Sequence, residues 1–390
     1  MEKTRVAAAL LVVCLVACTS TVPLDHAVVS YDVTTAESVE KQLLLNIARA
    51  RNNRPIHFTQ VSSITATYRL AANAGVGPAI TGGRGGLVVP LLGTATESSP
   101  TISIAPMQGD EFTQRLLTPF REGQLTLLLR QGYDVDSLLR LLGAEVHIDH
   151  PGGGDTIHQN RPSDRDGYQI YRRIVAHLSS IQDRHALYVE PLHFNHDWTV
   201  PEASVTPETY NTTYKDFTIS HDEAAHVYHV SHRVNGRVMI TNYDPDILSN
   251  EERLLLHAKA DEAPFNDVLI DIRPGHAGGE FPIQGRLRLR SFHEVLTFVG
   301  RGMSEEPEFD VTPDPRTPAI SENPITTLEI DESTHAPKDV VSVQLGSHYY
   351  FVKRHAGYPW NEKTFSVLYQ LFQMSVSSTA APGPSITIAK

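Results

Sequence analysis

The clearest pattern in the chain is a stretch of alternating positions near residue 68. Ile64, Ala66, Tyr68, Leu70, Ala72 and Ala74 alternate with Ser63, Thr65, Thr67, Arg69 and Asn73, and only Ala71 breaks the polar side. Successive side chains on a strand point to opposite faces, so this period of two predicts a long β-strand. A glycine-rich reversal, AGVGPAITGGRGG, follows it. The return segment LVVPLLGTATESSPTISIAPM is less regular, because Leu87 to Leu92 is apolar on both faces, and Pro90 and Pro100 are expected to interrupt it. Together the two segments predict a β-hairpin over 62–100. The TGGRGG within it is not a phosphate loop, since it lacks a Gly-Lys-Ser/Thr ending and no helical pattern follows.

Helical periodicity takes over on either side. In TTAESVEKQLLLNIARARNNRP, Thr34 and Glu37 have capping-box spacing, and Val39, Leu43, Leu44 and Ile47 share a face. Pro55 closes this helix, and residues before Thr34 show no helical period, so they read as a tether. Arg49, Arg51 and Arg54 suit the negative end of the helix dipole, with an anion contact as the sharper alternative. Leucine-rich segments at 112–142 predict short core helices, with Asp110 and Asp134 as caps. YQIYRRIVAHLSSIQ predicts a further helix and ALYVEPLHFNHDW a strand. HVYHVSHRVNGRVMITNY predicts a hairpin turning at Asn235-Gly236.

GRLRLRSFHEVLTFVG predicts a strand and then a helix capped by Ser291 with Glu294 and ended by Gly300. DVVSVQLGSHYYFVKR predicts a hairpin turning at Gly346-Ser347. The last helix, WNEKTFSVLYQLFQMS, is expected to be capped by Asn361 and to bury Phe365, Leu368 and Phe372. Hairpins mixed with helices, without strict strand–helix alternation, predict an α+β fold of mixed and antiparallel hairpins packed with helices. The expected organisation is a leader at 1–17, a tether at 18–33 and a main body at 34–301. A segment rich in proline and acids at 302–327 reads as a loop or linker. A hairpin plus helix at 328–377 completes the body, before a flexible tail at 378–390.

The amino end alters this picture. Lys3 and Arg5 precede an uninterrupted apolar run from Val6 to Ala17, which is too short to span a bilayer as a helix of ~20 residues. A basic start, a short apolar core and a small-residue end predict a secretory signal peptide. Leu15-Val16-Ala17-Cys18 resembles the lipobox of bacterial lipoproteins. The resemblance implies cleavage before Cys18, a diacylglyceryl thioether on its sulfur and acylation of the new amino terminus. Several acyl chains hold a protein firmly on a membrane, because each buried CH2 contributes ~0.8 kcal/mol. Thr19 stands where an aspartate would imply inner-membrane retention in Gram-negative lipoproteins, so the resemblance implies an outer-membrane anchor with the body facing the periplasm. Cys14, the other cysteine of the chain, would leave with the leader.

The formal net charge is −12, and loss of Glu2, Lys3 and Arg5 with the leader makes it one unit more negative. That balance argues against nucleic acid as a partner. A hydrophobic content of 41% is enough for an ordinary core.

Nineteen histidines invite a search for metal chemistry. In SHDEAAHVYHVSH, His221 and His226 lie five apart, where a zinc-protease helix needs His-Glu-x-x-His at four. The segment reads as a strand with His226 and His232 on one face, and these two are candidate metal ligands only if others converge. His147, Asp149, His150, Asp155 and His158 form a second group around a triple-glycine turn, which equally suits a solvated loop. His193, His196 and Asp197 form a third. No Gly-x-Ser-x-Gly elbow is present, and lipidation of Cys18 would leave no cysteine nucleophile.

Three further stretches, QLLLNIARAR, SSPTISIAPMQGDEFTQRLLTPF and LRSFHEVLTFVG, are similar to segments of a group of uncharacterised proteobacterial proteins, many with lipoprotein leaders. The resemblance implies a shared fold and an envelope location, and no activity. The first expectation is therefore a noncatalytic, lipid-anchored envelope protein with a binding or assembly role and a protein partner in the envelope. No cofactor is expected beyond the covalent lipid. A second expectation is an oligomeric outer-membrane pore or export component that uses the 62–100 hairpin, since a barrel strand needs only ~9–11 alternating residues; a soluble hairpin packed on helices explains the same alternation through one-sided burial and is the preferred reading of that segment. A third is a histidine-rich, metal-dependent envelope hydrolase.

Overall fold

The structure, a computed structural model, describes residues 21–77, 89–206, 208 and 217–376. Its elements give an α+β fold, as the mixture of periods predicts. The chain divides into two compact units. One draws on Met1–Ser38, His57–Asp110 and Ser378–Lys390, and the other on Val39–Ile56 and Glu111–Ser377.

The first unit contains the predicted hairpin. Strand β1 (Phe58–Gly77, 20 residues) pairs antiparallel with β2 (Val89–Met107, 19 residues). Pro90 and Pro100 do not interrupt β2; they lie within it, opposite Val76 and Ala66. Proline's fixed φ is compatible with extended backbone, and in a two-stranded ribbon alternate residues need no ladder bond. The register sets Arg69 opposite Glu97 and Ile64 opposite Ile102, with one bulge between Val61 and Ser63. Helix α1 (Thr21–Arg51) begins in this unit and ends in the other. It corrects the expectation of a nonhelical tether followed by a cap at Thr34. Thr34 lies inside the helix, and its hydroxyl donates back to the Ser30 carbonyl at 2.7 Å, which satisfies it without ending the helix.

The second unit is built on a seven-stranded sheet. The order is β4 (Asp155–Gln159), β3 (Gly143–Asp149), β9 (Ile283–Leu289), β8 (Asp267–Ile272), β7 (Val227–Thr241) and β5 (Tyr188–Pro201), with β6 (Thr218–Asp222) beside the first part of β7. Among the described strands only β7 and β8 run parallel, and they are joined through α6 (Asn250–Asp261). All six residues of β8 are buried. In β9 the alternation of GRLRL is realised directly: Gly285, Leu287 and Leu289 are buried while Arg286 and Arg288 take the other face.

The core beside the sheet draws on the end of α1, on α2 (Asp110–Leu117) and α3 (Glu122–Arg130), which bury Leu116, Leu125 and Leu128, and on four further helices. They are α4 (Val135–Leu142), α5 (Arg165–Asp183), α7 (Phe292–Gly302) and α8 (Trp360–Val376). Every residue of α4 is buried, including Asp136 and Arg140, which pair at 2.6 Å across one turn. Asp134 occupies the amino-cap position of α4 without a side-chain cap bond. Ser291 caps α7 through the predicted box with Glu294. Gly300, expected to end α7, does not, because the helix continues to Gly302. A Cβ at Gly300 would stand 2.8 Å from the Arg51 nitrogen and 2.9 Å from the Ala50 Cβ, so this glycine serves the close crossing of α7 with the end of α1. Asn361 lies inside α8 and does not cap it. Its amide ties the Glu329 nitrogen to the Lys353 carbonyl, while Phe365, Leu368 and Phe372 are buried as the spacing predicts.

The Asn235-Gly236 turn is a second correction. These residues lie within β7, where Asn235 pairs with His193 of β5. The reversal occurs earlier, between β6 and β7, where the Asp222 carboxylate accepts from the Ala224 and Ala225 nitrogens at 3.0 Å. Gly236 is there for space: a Cβ would meet the Phe194 ring at 2.8 Å and His257 at 2.9 Å, two rings stacked 4.6 Å apart.

Segment 303–329 has no helix or strand, yet its polar groups are held from within the body. Arg140 donates to the Asn323 side chain at 2.8 Å and the Pro324 carbonyl at 2.5 Å, and Arg172 donates to the Pro324 and Ile325 carbonyls. Glu308 accepts from Tyr168 at 2.8 Å and from the Thr327 nitrogen and hydroxyl. Buried ionic groups need such complete pairing, because a stranded charge is costly in a low-dielectric interior. The short sheet β10 (Ile330–Ser333), β12 (His348–Val352) and β11 (Ser342–Leu345) follows, and its hairpin turns at Gly346-Ser347.

Candidate functional site

The hairpin is the first feature whose architecture calls for a partner. Among the described residues, β1 and β2 form a sheet of their own with no third strand. At ~3.3 Å per residue, twenty residues extend on the order of 65 Å. A two-stranded ribbon of that length is marginal alone in water, and strand edges are templates for further pairing.

The histidine candidates fall into separate places. His147 is buried on β3, on the sheet face opposite the core helices, within a ladder of charges. Its Nε2 is 2.9 Å from Glu145 Oε1, and its Nδ1 is 2.9 Å from both Asp155 Oδ2 and Arg286 Nη2. Arg286 also binds Asp155 at 2.7 Å, and Arg288 joins Glu145 at 2.7 Å to the fully buried Asp267 at 3.0 Å. The Nδ1 atom cannot donate to Asp155 while it accepts from Arg286. Two arrangements are therefore open. A doubly protonated ring donates to both carboxylates, while a neutral ring donates to Glu145 and accepts from Arg286. The His147 hydrogen bond, with the charge of Arg286, holds the Asp155 carboxyl below its ordinary value. Both ring nitrogens of His147 are thus engaged within the ladder.

His158 pairs in register with Val146, one residue from His147 along β3, so it takes the opposite face of the sheet. Burial pushes its imidazole below the ordinary value. His150 begins the exposed turn that closes through the Gly154 carbonyl and its own nitrogen at 3.0 Å. The structure therefore does not bring His147 and His158 to one point.

His226 precedes β7 in the left-handed region, at φ 52°, and is exposed. Its Nδ1 is 3.1 Å from Glu202, which also lies 3.7 Å from His221 Nε2. Hydrogen bonding from His226 depresses the Glu202 carboxyl. His232 lies further along β7, opposite His196 of β5, with its ring 4.8 Å from Phe217. Thus His221 joins His226 through Glu202, and His196 joins His232 across the strands. The sequence groups hid both pairings, because Glu202 and His196 come from distant positions. Among the described residues, no group of three or more histidine, cysteine, aspartate or glutamate side chains is arranged to hold a metal ion.

Cys18 and the rest of the Leu15-Val16-Ala17-Cys18 motif lie outside the described residues, as does the tip of the hairpin. No described helix is long and apolar enough to cross a membrane. No family model, curated protein or solved structure matches this chain.

Proposed function

We propose that this chain is a lipid-anchored envelope protein that assembles with copies of itself through its long hairpin, the hairpins closing into a shared outer-membrane β-barrel. The observation that carries the reading is the isolated pairing of β1 and β2 over strands of 20 and 19 residues. These strands are about twice the ~9–11 residues that cross a bilayer. Irregular edges cannot face lipid, so a spanning hairpin must pair on both sides. The described part of one chain supplies one such hairpin, so the neighbours are other copies. Alternation of Ile64, Ala66, Tyr68 and Leu70 with Thr65, Thr67 and Arg69 fits an apolar outer wall and a polar lumen. Acylation at Cys18 would hold each copy at the membrane surface, and the sheet-based unit would form the periplasmic body.

The test is extraction of the full-length protein from a bacterial envelope in mild detergent, followed by native mass spectrometry and planar-bilayer recording. The expected result is an acylated ring of several copies with stepwise conductance. Ile64→Asp and Tyr68→Asp should abolish both while leaving the circular dichroism of the body unchanged. A wild-type acylated monomer without conductance would overturn the reading.

A further inference from the structure

A cavity of about 350 Å³ opens between β3, the end of β4, α7 and the start of segment 303–329. Its volume falls within the range of small-molecule sites. At its wall stands Arg290, 6% exposed. This guanidinium donates to the carbonyls of Arg140 at 3.1 Å, Leu141 at 3.0 Å and Asn160 at 2.6 Å. The Phe298 ring lies against it, 4.0 Å from its carbon to the centroid. Arginine has five N–H donors, so these bonds leave two. None of its partners is a carboxylate, and burial pushes its pKa down to about 10. Glu294 and Glu308 act on this buried cation through space, and its hydrogen bonds go to carbonyls.

Asn160, 2% exposed, lines the same cavity. Its Nδ2 is fixed by the carbonyls of Arg140 at 2.9 Å and Gly143 at 2.8 Å, which sets the amide orientation. Its Oδ1 is buried and receives no hydrogen bond. Arg301 adds a buried Nε with no hydrogen-bond partner, and it approaches Glu305 only to 4.0 Å. Each acidic residue of the wall has one carboxylate oxygen engaged. Glu145 binds Arg288 and His147, Glu294 caps α7, and Glu306 binds Arg161 at 2.7 Å. The buried groups of the wall left without a hydrogen bond are a cationic N–H on Arg301 and the carbonyl acceptor of Asn160.

We infer that this cavity binds a small organic acid that carries a hydroxyl or amino group beside its carboxylate. The carboxylate would accept from Arg290 and Arg301, and the neighbouring O–H or N–H would donate to Asn160 Oδ1. The unfilled acceptor separates this ligand class from a simple anion, because an anion without a donor would leave Asn160 unsatisfied.

The test is calorimetric titration and thermal shift of the full-length protein with malate and aspartate, with succinate and glycerol as controls that lack the donor or the acid. Saturable binding of malate or aspartate, about tenfold tighter than succinate, is expected, with no binding of glycerol. Arg301→Gln, a change at a partly exposed side chain, should weaken binding about fivefold without altering the melting temperature of the free protein. No saturable binding of either acid up to ~10 mM would overturn the inference. So would equal binding of malate, aspartate and succinate, or binding unaffected by Arg301→Gln.

Discussion

Arg172 and Glu308 approach to 3.5 Å with both side chains almost wholly buried, and the Tyr168 hydroxyl bridges them. Tyr168 accepts from Arg172 at 2.6 Å and donates to Glu308 at 2.8 Å. Burial and the adjacent carboxylate push this phenol far above its ordinary value, so it stays protonated as the bridge requires. Glu308→Ala would strand Arg172 and release the Thr327 bonds, so a loss of about 3–5 kcal/mol is expected. Tyr168→Phe should cost about 1–3 kcal/mol. Urea unfolding measures both, and a loss below ~0.5 kcal/mol for Glu308→Ala would show that the clamp contributes nothing.

The crossing at Gly300 gives a steric prediction. Any Cβ there enters the space of Ala50 and of the Arg51 and Ile47 main chain. Backbone cannot rotate aside, so Gly300→Val should cost about 1–3 kcal/mol or more, despite valine's ability to sit in a helix. An unchanged melting temperature would place the α1 terminus elsewhere.

Gly236 separates two readings of one dipeptide. A turn glycine would resist substitution through its φ, whereas here the Phe194 and His257 rings set the limit. Gly236→Ala should therefore destabilise the protein by about 1–3 kcal/mol, and a second change, His257→Ala, should relieve part of that loss. A double-mutant cycle reads the coupling; strict additivity of the two losses would contradict it.

Acid should loosen segment 303–329 at Asp314. Hydrogen bonds from the Arg316 side chain hold this carboxyl at about 2, below its ordinary 3.8. A depressed folded-state pKa gives stability that is present above the unfolded value and lost as pH falls through the folded one. Asp314→Asn should thus lower stability by a constant amount above pH ~4, and the gap to wild type should close between pH ~4 and ~2. Stability curves that stay parallel across that window would refute the assignment.

Elements governed by local chemistry were legible in the sequence. The Ser291–Glu294 box, the alternation of β9, the Gly346-Ser347 reversal and the long hairpin each follow from neighbours within a few residues. Features set across the chain were not. Asn235-Gly236 carries the local mark of a turn, yet its glycine answers to rings at 194 and 257. The acids of 302–327 suggest solvent, and nothing near Glu308 signals an arginine and a tyrosine waiting in α5. The candidate cavity was equally hidden. Arg290 follows an alternating run of arginine and leucine, so its pattern matches the half-buried Arg286 and Arg288 while its full burial does not.

The order of strands also fixes when the body can finish. Strand β3 is flanked by β4, which follows it almost at once, and by β9, which begins only at Ile283. Until Leu289 has left the ribosome, the second side of β3 has no mate, and β8 has no neighbour on the β9 side. An unpaired edge held open for so long favours a loosely collapsed nascent chain over a locked one. Completion of the sheet is thus a late event, because its central strands acquire their last neighbour only once β9 has been made.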